Sequence, residues 1–206
     1  LAVFIASSTL AAELEPKLGK RGAVLLEEKF DGKELPKNWN RNTGKLTVAD
    51  GVLKASEVAT DMHAAAFRRP LPLQDAVIFV KFRFEGAKMF HVGFDPDPGE
   101  LKKQGHLFSV IFSATGWSIT EHNDKADPQS TNKALAKATA SFEKGRWYEL
   151  LLEVKGDDVL AQINGMEPLR ATSKDFHVKK PGLVFRTGGK DTDELHLDEV
   201  RVWELK

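Results

Sequence analysis

The chain has 206 residues, with Lys plus Arg and Asp plus Glu balanced at 30 each, and no cysteine. Zero formal net charge supplies none of the clustered positive potential that a nucleic-acid partner requires, and the missing thiols exclude disulfides, thiolate metal sites and cysteine nucleophiles. With 41% hydrophobic and 29% charged residues and 13 Phe, the composition is that of a globular protein large enough for one sizeable core and hardly for two.

The chain opens on LAVFIASSTLAA (1–12), an apolar run followed by small residues. This pattern predicts the remnant of a secretory signal peptide and so an exported, periplasmic or extracellular protein; the alternative is a short helix docked on the domain. The polar stretch 13–22 reads as a linker and 23–206 as a single domain. No other segment approaches the ~18 apolar residues of a membrane span.

From there the pattern is strand-like. VLLEEKF (24–30) ends at Asp31-Gly32. KLTVADGVLKASE (45–57) is a hairpin signal around Asp50-Gly51, because glycine accepts positive φ. MHAAAFRRP (62–70) is a weaker strand. DAVIFVKFRFEG (75–86) alternates with period two: Ala76, Ile78, Val80, Phe82 and Phe84 form an apolar face, while the other face changes from Val77 and Phe79 to Lys81, Arg83 and Glu85. In AKMFHVGFD (87–95), Phe90, Val92 and Phe94 share one face, and His91 and Asp95 the other. GHLFSVIFS (105–113) and GWSITEHN (116–123) form a second hairpin. Residues 123–138 read as a long polar loop with one helical turn. Strands follow at 146–156, 158–165, 181–189 and 194–206. About a dozen short strands with regular turn signals predict an all-β sandwich or barrel.

Three phrases carry a resemblance. VLLEEKFDGKELPKNWN followed by LTVADGVLKAS, then FEKGRWYELLLEVKGDDVLAQINGMEP, then PGLVFRTGG with LHLDEVRVWELK, resemble the opening, late-middle and closing phrases of the jelly-roll family of 3-keto-disaccharide hydrolases. The resemblance covers most of the chain from Val24 to Lys206. It implies an antiparallel β-sandwich of the concanavalin A-like lectin/glucanase type, a carbohydrate partner, export from a bacterium and cleavage of a glycosidic bond in an oxidised disaccharide. The chain departs from the family where a carboxylate is expected in mid-chain. GHLFSVIF places Leu107, Phe108, Ser109 and Val110 there, and no family site residue carries over one to one.

The candidate site therefore rests on the residues themselves. If strands 75–85 and 88–95 pair as a hairpin, His91, Asp95 and Arg83 gather as a catalytic group. His91 would act as base, and Arg83 or Arg186 would stabilise the enolate formed when a 3-keto sugar loses the proton beside its carbonyl. Glu121, Arg186 and Trp39 are the expected substrate-binding residues, Trp39 as an exposed ring in a Pro/Asn-rich segment. Ordinary glycoside hydrolysis needs two carboxyl groups on one cleft; Asp95, Glu121, Glu149 and Glu153 are the candidates, none in a recognisable motif. The histidines show no zinc spacing. Asp95, Asp97 and Glu100 read as a proline-stiffened turn, with a divalent metal such as calcium left open as a cofactor. A non-catalytic carbohydrate-binding or adhesion domain on the same scaffold stands as the alternative to an enzyme, and the sequence carries no signal for an oligomeric state.

Overall fold

The computed structural model describes residues 13–206, so the expected signal remnant 1–12 lies outside the described residues. Fifteen strands run β1 Arg21–Glu28, β2 Asn40–Thr43, β3 Lys45–Ala49, β4 Val52–Ser56, β5 Ala65–Leu73, β6 Ala76–Glu85, β7 Met89–Phe94, β8 Phe108–Ser113, β9 Gly116–Glu121, β10 Lys133–Thr139, β11 Trp147–Lys155, β12 Asp158–Ile163, β13 Leu169–Thr172, β14 Lys180–Gly188 and β15 Glu194–Leu205. They form two sheets. The first has the order β13-β12-β11-β6-β15-β4-β3, with β1 also pairing to β15; the second has the order β10-β9-β8-β7-β14-β5-β2. All named strand pairs are antiparallel.

Period-two patterning places the core between the sheets. Ile78, Val80, Phe82 and Phe84 of β6 face Phe90, Val92 and Phe94 of β7, all nearly or fully buried. Phe82 crosses the gap, with its ring centroid 5.0 Å from Phe90 and 4.9 Å from Phe112. Each buried phenyl stabilises the fold by about 1.5–3 kcal/mol. The Asp50-Gly51 turn has positive φ at both residues (58° and 70°), which joins β3 to β4 with a twist that suits the hairpin.

The switch on the second face of β6 has a physical cause. Val77 and Phe79 belong to a small outer cluster with Leu151, Trp203 and Leu205, covered by Leu14 and Leu18. The segment 13–20 is thus a strap over the first sheet rather than a linker. Its anchor is Glu153, whose buried carboxylate accepts the backbone N–H groups of Lys17 (2.9 Å) and Leu18 (2.7 Å). Gln162 donates both to that carboxylate and to the Glu15 carbonyl. Beyond the strap, Lys81, Arg83 and Glu85 meet solvent and are polar.

Strands 75–85 and 88–95 do not pair. β6 lies in the first sheet between β11 and β15, and β7 in the second between β8 and β14. The connection between them crosses from one layer to the other. The expected loop 123–138 is shorter than its composition implies. Lys133–Thr139 is an edge strand on β9, its lysines exposed in the manner that keeps sheet edges from pairing with other chains. Polar composition concealed its alternation.

Candidate functional site

Alternation along β5, β7, β8, β9 and β14 turns a set of polar side chains to the outer face of the second sheet. Arg186 of β14 stands directly across from His91 of β7 on one side and Ala66 of β5 on the other. Ser109 of β8 lies opposite Gly93 of β7. A Cβ at Gly93 would collide with Ser109 Oγ and lie 2.9 Å from the Phe108 carbonyl oxygen, so glycine is what lets Ser109 sit there. Ser109 Oγ in turn is hydrogen-bonded to His122 Nε2 at 2.8 Å.

His63, His91, His106 and His122 share a cavity of about 250 Å3 with Arg186 and Asn132. No Asp or Glu lines it. His106 and Lys125 also border a neighbouring cavity of about 400 Å3 that includes Asp95 and Arg68. Ile111 also borders a third, of about 460 Å3, along β8, β9 and β10. The three adjoin across one sheet face and together offer room for more than a single sugar ring.

Asp95 is the organising carboxylate. One oxygen accepts from His106 Nδ1 at 2.5 Å and the other from Arg68 Nη2 at 3.1 Å, while Arg68 Nη1 also donates to Asn42 Oδ1. Burial pushes the Asp95 carboxyl up, but His106 and Arg68 together outweigh it and hold its pKa below the ordinary value. An ionised carboxylate only accepts, so the proton of a neutral His106 sits on Nδ1 and Nε2 keeps a free lone pair. This is the geometry of an oriented general base.

The other two inner histidines are held neutral. Burial, then the charges of Arg186, His122 and His106, depress His91 to about 3. Burial, then His106 and Arg186, depress His122 to about 4, against a hydrogen bond with Asn132. Arg186 is itself pulled down by desolvation and by Arg68, with Asp95 opposing. His91 Nδ1 and Arg186 Nε are buried without a hydrogen-bond partner among the described residues.

Of the residues singled out from sequence, His91, Asp95 and Arg186 come together on this face. Arg83 does not. It lies on the outer face of the opposite sheet, paired with Glu85 at 2.9 Å and stacked over Trp147 at 4.6 Å, because β6 and β7 belong to different layers. Trp39 is not an exposed ring either. It is 4% exposed and packs on Phe30, Phe67 and Phe185, since the Pro/Asn-rich segment folds its one large apolar side chain into the core. Glu121 closes β9 outside the cavity that holds Arg186, its carboxylate accepting from Ser173 Oγ at 3.0 Å. Glu149 accepts from Asn164 on the first sheet, and Glu153 is under the strap, so neither can join Asp95 in a two-carboxylate site. The residues missed in sequence are His106, Ser109 and Arg68, while His122 lies at the rim that the stretch ITEHNDKADPQ suggests. The period-two pattern of β8 and β5 could have flagged Ser109 and Arg68; His106 precedes its strand and is placed by a loop. Among the described residues no group of three His, Asp or Glu side chains is set to hold a metal, and no helix is long and apolar enough to cross a membrane.

No protein-family model matches this sequence, nor does any curated protein's sequence. Solved structures do match. A laminarinase from Rhodothermus marinus superposes with a TM-score of 0.67 at 11% identity, covering 92% of this chain and 100% of its own. A non-specific endo-β-1,3(4)-glucanase of family GH16 gives 0.64 at 13%, covering 91% and 95%. The carbohydrate-binding module CBM66 of Bacillus subtilis gives 0.55 at 11%, covering 82% and 92%. The fold is the concanavalin A-like jelly roll. Identities this low speak to the fold alone, and function must come from the site.

Proposed function

We propose that the protein is an exported carbohydrate-active enzyme that opens an oxidised disaccharide, such as a 3-keto-disaccharide, by removing the proton beside the sugar carbonyl. The observation that carries this reading is the Asp95–His106 pair beside a carboxylate-free cavity containing Arg186. The cavity that holds Arg186 has no carboxylate for a two-carboxylate hydrolysis to draw on. Abstraction next to a ketone needs one base and one group to balance the developing enolate charge. His106 Nε2 supplies the base, Asp95 orients it, and Arg186 balances the oxyanion. A histidine held near 3 is poorly matched to proton abstraction at neutral pH; His91 is assigned instead to hydrogen bonding of the sugar. Once the proton has left, the enolate expels the glycosidic oxygen, and water added to the resulting enone completes the net hydrolysis.

A non-catalytic carbohydrate-binding domain is the second reading, favoured by the fold likeness to a binding module. The two are separated by incubating the protein with a 3-keto-disaccharide and with its unoxidised parent, with and without calcium. Release of the two sugars from the oxidised compound alone is expected. Saturable binding with turnover of neither would replace the enzyme reading by the second.

A further inference from the structure

One developing oxyanion requires one cation, yet the cavity holds more positive and donor groups than that. Arg186, Lys125, Asn123 and Asn132 line it with the four histidines and no carboxylate. Asp95, which borders the adjoining cavity, is engaged by His106 and Arg68. Among the described residues neither Arg186 nor Lys125 has an ion-pair partner, although the chain forms ion pairs freely elsewhere. Lys103 adds a further cation to the adjoining cavity. A half-buried guanidinium with no ion-pair partner is an unfavourable resting arrangement. A planar two-oxygen anion presented to its fork relieves that cost.

We infer that this cavity selects a sugar residue carrying an anionic substituent, a carboxylate or a sulfate ester, held between Arg186, whose guanidinium fork serves the substituent and the developing oxyanion alike, and Lys125 at the rim. The inference rests on the reading of this face as a carbohydrate site. Neutrality of His91 and His122 agrees with it: burial is the larger cause, and the positive charges of Arg186 and His106 that add to it are charges an anion would meet.

The test is calorimetric titration of the full chain with three oligosaccharides of equal length: a galacturonate oligomer, a sulfated galactose oligomer and a neutral galactose oligomer. At low salt the anionic sugars should bind at least about tenfold tighter than the neutral one, and the margin should shrink as salt screens the pairing. Preference for the galacturonate arm identifies a carboxylate, and for the sulfated arm a sulfate ester. Arg186→Gln should bring the anionic and neutral affinities together. Arg186→Lys should retain part of the difference, and Lys125→Gln should reduce it to a smaller degree. Thermal midpoints confirm that each variant is folded, and the salt dependence of the unmodified protein needs no variant. Equal affinity for neutral and anionic sugars, or a preference surviving in Arg186→Gln, overturns the inference while leaving the carbohydrate reading intact. Absence of saturable binding to any of the three, together with no turnover of the oxidised disaccharide, removes both.

Discussion

The outer faces of the two sheets carry similar residue types and treat them in opposite ways. On the first sheet Lys81 pairs with Asp198 at 2.6 Å, Arg83 with Glu85 at 2.9 Å and Arg201 with Glu199 at 3.2 Å. Each of those cations also lies over an aromatic ring, Trp147 or Phe79. The strap covers the rest, with Glu153 satisfied by three backbone and side-chain donors. Arginine Nε atoms without a hydrogen-bond partner occur on both faces, at Arg83 and Arg201 on the first sheet and at Arg186 on the second, but among the described residues Arg186 has no carboxylate paired with it, and His91 Nδ1 beside it is also without a partner. A face whose charges are paired with one another has no free charge left to offer a ligand. Desolvated polar groups held open by their neighbours are costly to the fold and mark a place where something else completes them.

That contrast can be broken by mutation, beginning where the effect should be greatest. His106→Ala should lower kcat on the oxidised disaccharide about 10^2- to 10^4-fold, whereas His91→Ala should act chiefly on KM. Steady-state kinetics showing the reverse would return the base role to His91. Next, Arg186→Ala should cost about 10^2- to 10^3-fold in kcat/KM, as loss of a charge-stabilising group does. Arg83→Ala on the opposite face should leave kcat/KM unchanged; an equal loss at both positions would mean that the two faces are not functionally distinct.

Stability should respond in the opposite sense. Glu153→Ala removes the acceptor of the strap's N–H groups and should lower unfolding free energy by roughly 1.5–3 kcal/mol or more with activity retained, on the scale of hydrogen bonds to charged groups. Gly93→Ala should cost about 1–3 kcal/mol through the forced shift of Ser109, and it should lower activity as well because the Ser109–His122 bond goes with it. Denaturant unfolding measures both, and unchanged activity in Gly93→Ala would sever Ser109 from the site.

The smallest effect is on pH dependence. His91 and His122 have folded-state values of about 3 and about 4 against an ordinary 6.5. In that interval the unfolded chain binds more protons than the folded one, so stability is whole above about 6.5 and declines as pH falls toward 3. The groups facing His91 are Arg186, His122 and His106. Asp95, depressed in the folded state, adds a loss of the same sign at lower pH. His91→Gln should flatten the decline between pH 6.5 and 4 in thermal unfolding, and an unaltered slope would refute the buried neutral state.

Much of this molecule is legible in its residues one strand at a time. The alternation Ile78, Val80, Phe82 against Lys81, Arg83 states which side of β6 is buried, and the same rule turns His91 and Asp95 away from Phe90 and Phe94. Asp50-Gly51 announces its turn. Patterning of this kind is local, because period two is a property of the extended backbone and needs no knowledge of the partner strand. The sequence by itself therefore determined the all-β sandwich, most strand limits and the inward or outward sense of nearly every site candidate. It misjudged Trp39 and Lys133–Thr139, where an apolar ring and an alternating strand lie inside polar composition. Only the tertiary structure decided which outward faces belong together. β6 and β7 are neighbours in the chain and lie in opposite layers, while β7 and β14 are separated by more than eighty residues and share a hydrogen-bonded edge. Pairing is settled by long-range packing and the closing of loops, and that is what parted Arg83 from His91 and set Arg186 in its place.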